Sequence, residues 1–381
     1  MRMLEVLIVG GGVMGAATAY ALARRGRRVL LLEQFAIGHA RGSSHGLSRQ
    51  IGCAYPQLYY TRLAKAAYQA WADLEADTGQ RLVIKTGALA LGAADLRYLR
   101  ACASNLAAAG VPFESLSAPE LRARFPQLAI SDQTIGLYQP DGGILPASRC
   151  VATFIEQARR YGAAIASGVR VERVMPDGSG ARVDASGATY RAQRVIITAG
   201  SYTPLLLRSL SLSFPLLITR EQSAFFLPRD RRLGNLPVIS DFGDDETNPP
   251  LICFPDLGEG VKAERLGVGT LVRNPYEPPP LPDPVENDQI ARRLNQTLPG
   301  YAARLLRAET CRMTHTPDGD FLIDRHPEFG QIVIAIPCIG HGFKLAPLIG
   351  EMLADLAIDG STACDITPFR LNRMLNRQVY T

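Results

Sequence analysis

Gly10, Gly12 and Gly15 have the spacing of a phosphate cradle, and a second glycine-dense run, Gly340-His341-Gly342-Phe343-Lys344, could meet the same ligand from the far end of the chain. Glycine at the first position permits a tight turn. At the second it lets the backbone approach a pyrophosphate, and at the third it lets helix and strand pack closely. Glu33 stands where an acid accepts hydrogen bonds from ribose hydroxyls, and its charge disfavours a 2′-phosphate, so FAD or NAD is expected over NADP. Other reactive side chains are ambiguous when read singly. Cys311 alone reads as a small buried hydrophobe. Lys262, in Gly258-Glu259-Gly260-Val261-Lys262, reads as a solvated loop residue. Arg49 reads equally as a surface ion pair or a charge beside a ligand.

The elements around the first glycine run are in the right register. Val6-Leu7-Ile8-Val9 suits a strand buried on both faces. Ala16 to Arg25 is a strong helix former stopped by Gly26, and Arg28 to Leu32 makes a second buried strand ending on Glu33. The pyrophosphate would then sit on N–H groups at the positive end of the helix. Ile332 to Ile336 is a buried strand leading to the second glycine run. Arg194 to Thr198 is another, and it runs into the small-residue turn Ala199-Gly200, which can lie against the cofactor.

Elsewhere the spacing predicts helices over Gln57 to Asp77, closed by Gly79, and over Asp95 to Ala109, Ala118 to Arg124, Pro146 to Tyr161, Val285 to Leu298 and, last in the chain, Pro347 to Ala357. Val169 to Met175, Ala181 to Ala185 and Thr189 to Arg191 read as an antiparallel meander. Val83-Ile84, Gly87 to Leu91, Ser223 to Leu227 and Leu266 to Gly269 read as strands of another sheet. Pro275 to Pro284 reads as loop or polyproline.

Composition sets outer limits. A chain of 381 residues can bury a core large enough for two domains. The charge of +5 is modest and its Lys and Arg residues are scattered, which does not support nucleic-acid binding. The seven cysteines form no CxxC pair and the five histidines show no metal-ligand spacing, which argues against a disulfide framework or a zinc site. No apolar stretch reaches membrane-spanning length, and Met3 to Val13 lacks the cleavage site of a signal peptide, so a soluble, cytoplasmic monomer is expected.

Taken together, four motifs give the chain a family resemblance. Gly42-Ser43-Ser44-His45-Gly46-Leu47-Ser48-Arg49, Cys311-Arg312-Met313-Thr314-His315-Thr316-Pro317-Asp318-Gly319-Asp320, Gly340-His341-Gly342-Phe343-Lys344 and Thr367-Pro368-Phe369-Arg370-Leu371 resemble the monomeric sarcosine oxidase and N-methyltryptophan oxidase family within the wider amino-acid-oxidase fold. The resemblance covers essentially the whole chain. It implies an α/β protein with an α+β second domain: a Rossmann-like FAD-binding domain assembled from residues 1–82, 145–214 and 312–381, and a substrate domain with a mixed or antiparallel sheet from residues 83–144 and 215–311.

The implied activity is oxidation of the C–N bond of a secondary amine or N-methyl amino acid by FAD, with O2 reduced to hydrogen peroxide. Cys311 matches the cysteine that carries covalent flavin, and nearby Arg312 would favour its thiolate. Lys262 matches the lysine that activates oxygen, where a fixed cation stabilises developing charge. Arg49 matches an arginine beside the flavin ring, and Lys344 the lysine for the substrate carboxylate. Ser43, Ser44, His45, Gly200, Gly340, Gly342 and Phe343 are expected around the cofactor.

Departures from the family bear on substrate. Gly52 stands where members acting on small N-methyl amino acids carry Arg, Met313 where they carry Tyr, Leu266 where they carry His, and Ile252 where a further Tyr is replaced. Each change leaves an apolar or empty space, so the expected amine is bulkier or more apolar than sarcosine. Three rival readings stay open at this point. They are a flavin-dependent amine dehydrogenase or cyclic-imine desaturase that does not use O2, an NAD-linked dehydrogenase, and a non-catalytic flavin-binding subunit.

Overall fold

The computed structural model describes residues 3–230, 236–243, 249–278, 281–337 and 340–375. The apolar run near the start is buried on both faces, as its composition requires: strand Leu4–Val9 lies between Val29–Glu33 and Ala188–Ile197 and is parallel to both. It belongs to an eight-stranded sheet ordered Leu322–Arg325, Ile332–Ile336, Ala188–Ile197, Leu4–Val9, Val29–Glu33, Ala164–Ser167, with the hairpin Val171–Asp177 and Gly180–Ala185 continuing from Ala188–Ile197. Only the Leu322–Arg325 edge and the hairpin are antiparallel.

Alternate side chains of Leu4–Val9 enter different cores. Val6 and Ile8 pack with the helices Val13–Arg24, Ala147–Arg160 and Ala346–Ile358 and with Trp71 and Phe154, whereas Leu7 and Val9 pack with the hairpin side.

The second sheet has nine strands and is mixed. Its order is Thr270–Leu271, Leu217–Leu227, Val261–Arg265, Leu251–Phe254, Val238–Asp241, Ala88–Ala93, Thr134–Gln139, Glu114–Leu116, with Arg304–His315 along the other side of Leu217–Leu227. Val238–Asp241 and Ala88–Ala93 form its parallel pair. Helix Pro284–Thr297 covers this sheet through Ile290, Leu294 and the following Leu298. The architecture is thus α/β with a Rossmann-like half and a mixed-sheet half, as read from the sequence.

Several elements differ from their sequence reading. Thr189 to Arg191 and Arg194 to Ile197 are one continuous strand, Ala188–Ile197. Leu266 to Gly269 is not a strand: Gly267 takes φ +73° and turns the chain back toward Thr270–Leu271. Val83-Ile84 contributes only a single bridge, Ile84 to Ile144. A short helix, Asn372–Leu375, follows Ala346–Ile358. Strand Arg304–His315 runs unbroken across the boundary expected at 311/312, and Gly143–Leu145 pairs with Arg49–Ile51 across the one expected at 144/145. Within the stretch Pro275 to Pro284, residues 279–280 lie outside the described residues.

Candidate active site

At the carboxyl ends of the parallel strands lies a cleft of about 1100 Å3, floored by Gly10, Gly12, Val13 and Met14 and bounded by Glu33, Ser43, Ser44, Gly200, Gly340, Gly342 and Phe343. Gly10 adopts φ +103°, and a Cβ there would lie 2.6 Å from the Thr198 carbonyl oxygen. Gly15 does not line the cleft but closes it from behind: a Cβ would sit 1.9 Å from the Gly10 carbonyl oxygen. The helix Val13–Arg24 therefore points its N-terminus into the cleft, and Ser44 Oγ accepts a hydrogen bond from Val13 N at 3.0 Å. Glu33, 4% exposed, accepts from Gly11 N at 2.7 Å and from Phe35 N at 2.9 Å. Burial acts to raise its carboxyl, but the bonds from His39, Gly11 and Phe35 outweigh burial and hold it below the usual carboxylate range. The charge is thus fixed where the second strand ends.

These features fit FAD. The cradle is backbone that any side chain would fill, and the helix N-terminus favours a pyrophosphate. His45, just beyond Ser44 in the chain, has its Nδ1 buried without a hydrogen-bond partner among the described residues. Burial, helped by Arg49, draws the His45 imidazole down to about 4, so it is neutral at pH 7.

A second cavity, about 1590 Å3, adjoins the cleft, and Arg49, Met313, Gly340 and Phe343 line both. Its wall includes Gly52, Ile252, Leu266, Met313 and Lys344. Lys344 holds its ammonium 5.0 Å from the Tyr55 ring centroid, and burial pulls it down to about 8 despite the nearby Cys53 thiol. His341 lies against Phe321 with ring centroids 4.9 Å apart, and burial, with Lys344 adding, draws its imidazole down to about 3. The imidazole is therefore neutral at pH 7, where it can exchange hydrogen bonds but is a poor proton acceptor.

The charged cluster lies on one face of the second sheet. Lys262 and Glu264, two apart on Val261–Arg265, project to the same side, and their Nζ and Oε2 atoms are 3.3 Å apart. Ser223 Oγ donates to the same Glu264 oxygen at 2.6 Å. The Lys262 ammonium also sits 4.6 Å from the Phe254 ring centroid. Lys262 is 5% exposed and does not itself line the cavity; Phe254 and Glu264, which do, stand in front of it. Burial lowers the Lys262 ammonium while Glu264 supports its charge, and burial raises the Glu264 carboxyl while Lys262 and Ser223 lower it on balance. Arg49 donates to the carbonyls of Ser48 at 2.7 Å and Ser43 at 2.9 Å, with its guanidinium 6.0 Å from the Phe343 ring centroid.

Cys311 is partly buried on Arg304–His315, directly across from Glu221. Burial pushes its thiol up to about 11, with Arg49 and Lys262 opposing. This corrects the role expected of Arg312. Adjacent strand residues face opposite sides, and the Arg312 guanidinium is tied to Tyr202 Oη and to the carbonyls of Pro275 and Glu277. The cations that act on Cys311 are instead Arg49 and Lys262.

The fold therefore brings most of the residues named from both ends of the sequence to one cleft and cavity, while Gly15, His45 and Lys262 line neither space. Cys311 lines a separate, smaller space together with Arg41, Thr310 and Arg312. Sequence reasoning missed Thr198, His39, Tyr55, Glu221 and Glu264. Of these, Glu264 carried a readable signal, its spacing of two from Lys262 in a strand. Among the described residues no group of acids, histidines and cysteines could hold a metal ion. No described helix is long and apolar enough to cross a membrane.

Residues 5–356 match the family described as DAO, FAD dependent oxidoreductase. The chain is 33% identical to human peroxisomal sarcosine oxidase, over 97% of this chain and 96% of that protein. It is also 33% identical to the monomeric sarcosine oxidase of Streptomyces avermitilis, over 97% of each, and 30% identical to the N-methyl-L-tryptophan oxidase of Citrobacter koseri, over 97% of this chain and 98% of that one. Among solved structures it is similar to NikD, described as an unusual amino acid oxidase essential for nikkomycin biosynthesis, with a TM-score of 0.87, 26% identity and coverage of 97% and 98% of the two chains.

Proposed function

The chain belongs to the FAD dependent oxidoreductase family, and we propose that it oxidises the C–N bond of a secondary amine or N-methyl amino acid to an imine, with dioxygen reduced to hydrogen peroxide. FAD, when bound, would supply the hydride acceptor and the route for electrons to dioxygen. The observation that carries the reading is the junction of the two spaces, where the wall bearing Lys344 meets the cleft at Arg49, Met313, Gly340 and Phe343. Gly10, Gly12, the helix N-terminus and Glu33 hold the dinucleotide. Arg49 places a fixed cation beside the ring site, and Lys344 takes the substrate carboxylate. Gly52, Ile252, Leu266 and Met313 leave room for an amine bulkier than sarcosine. Cys311 provides the covalent link.

Two measurements test this. Acid precipitation of the purified yellow protein leaves flavin in the pellet, and Cys311→Ala releases it to the supernatant; free flavin from both proteins overturns the covalent link. N-methyl amino acids bleach the flavin under argon, and readmitted air yields peroxide in step with imine. Bleaching without peroxide moves the protein to the second reading, a dehydrogenase that passes electrons elsewhere. That reading is favoured by Glu264, whose carboxylate offsets the Lys262 cation.

Lys344 gives a pH signature. Its ammonium is held down to about 8, so it is cationic below that pH and neutral above it. Binding of a simple carboxylate such as acetate is expected to weaken roughly tenfold per unit above that point. Lys344→Met is expected to bind acetate weakly at every pH. Acetate affinity that stays flat from neutral to alkaline pH would exclude Lys344 as the carboxylate partner.

A further inference from the structure

We infer that Glu221 is a recognition site for a distal cationic group on the substrate, so that the amine oxidised here carries a carboxylate at one end and an ammonium or guanidinium at the other. This rests on reading the larger cavity as the substrate site. Glu221 lies on Leu217–Leu227 and lines that cavity together with Lys344.

Three acids are the most deeply buried among the described residues: Glu33 at 4% exposed, Glu221 at 7% and Asp241 at 8%. Two of them have protein donors on both carboxylate oxygens. Glu33 holds two backbone N–H groups, and Asp241 holds Arg293 at 2.9 Å and Thr297 at 2.5 Å. Glu221 differs. Its Oε1 accepts from Thr219 Oγ1 at 2.6 Å, and the His315 imidazole, itself 2.7 Å from Thr219 Oγ1, comes no nearer to Oε1 than 3.8 Å. Its Oε2 is buried with no hydrogen-bond partner among the described residues.

A buried carboxylate oxygen without a donor is costly, and a donor brought by a ligand would satisfy it. The local backbone seats the carboxylate at the wall: a Cβ on Gly269 would lie 2.0 Å from Oε1, so only glycine leaves the space that Glu221 occupies. Glu264, the other acid on this wall, is already paired with Lys262 and Ser223. The apolar residues Leu266 and Met313 lie on the same wall, which suits a substrate whose bulk is a hydrocarbon stem ending in a cation.

The test uses the flavin-containing protein and matched pairs of small acids, namely γ-aminobutyrate with butyrate and ε-aminohexanoate with hexanoate, with binding followed by calorimetry. At least one amino acid of the set is expected to bind on the order of 10- to 100-fold tighter than its uncharged partner. Glu221→Gln, nearly the same shape, is expected to erase that preference while leaving the affinity for the plain carboxylate and the thermal midpoint unchanged. Amino acids that bind no tighter than their partners, or a preference that survives Glu221→Gln, would overturn the assignment. Binding is read without turnover, so failure of the oxidase reading shows separately, as flavin that no N-methyl amino acid bleaches under argon.

Discussion

Lys262→Met is expected to slow reoxidation of the reduced flavin by dioxygen about 10²- to 10³-fold, the scale on which a fixed charge stabilises developing charge in a water-poor site, while reduction by the amine stays near the wild-type rate. The side chain lies behind the cavity wall, where it can act on charge without touching the amine. The variant carries a complication that can be used. Lys262 is buried and its partner Glu264 partly buried, and removing the cation leaves the Glu264 carboxylate with only its Ser223 donor, at a cost of up to about 3 kcal/mol. The single variant is therefore expected to melt early. Lys262→Met combined with Glu264→Gln removes both charges together and is expected to recover most of the melting temperature without recovering the oxygen reaction. Stopped-flow mixing of the reduced double variant with oxygenated buffer is the deciding measurement, and a wild-type rate there would remove Lys262 from oxygen chemistry.

Gly15→Ala is expected to give a colourless protein. The added Cβ would lie 1.9 Å from the Gly10 carbonyl oxygen and 2.7 Å from Thr198 Oγ1, so the helix Val13–Arg24 must lift from the sheet that it packs against. That displaces the N-terminus facing the pyrophosphate and overpacks a helix whose residues are buried from Val13 through Ala23, at a cost of about 1–3 kcal/mol or more. Gly26→Ala is the internal control. Gly26 has φ +74° but nothing within 4 Å of a Cβ, so backbone strain alone should lower the melting point while the protein stays yellow. Visible absorbance and thermal unfolding of the two variants separate the effects. A yellow Gly15→Ala protein with the parent melting point would refute the packing argument.

The dinucleotide cradle was legible because every part of it is local: the strand, the turn, the helix and Glu33 lie within one short run of chain, and each residue type has a distinct physical reason to be there. Lys262 was legible only as a motif position. In isolation its glycine-flanked surroundings suggested a wet loop, yet it sits in the strand Val261–Arg265, buried against Phe254. Glu221 was invisible because its importance is the absence of a partner, which depends on what Gly269 and Thr219 do in three dimensions. Leu266 to Gly269 misled for a simpler reason: apolar residues alternating with glycine imitate a strand until Gly267 takes its left-handed conformation. Arg312 misled because adjacency in sequence does not show where a guanidinium is spent, and this one is tied to Tyr202 and the carbonyls of Pro275 and Glu277.

The position of Leu4–Val9 inside its sheet constrains how the protein is made. One neighbour of this strand, Ala188–Ile197, follows far along the chain, and that neighbour's own partner, Ile332–Ile336, follows much later. The glycines at 340 and 342 that complete the cleft come later still. Pairing over such sequence distances is slow and leaves unpaired strand edges exposed meanwhile. The cleft therefore stays incomplete until the segment carrying Gly340 and Gly342 has docked against the first strands.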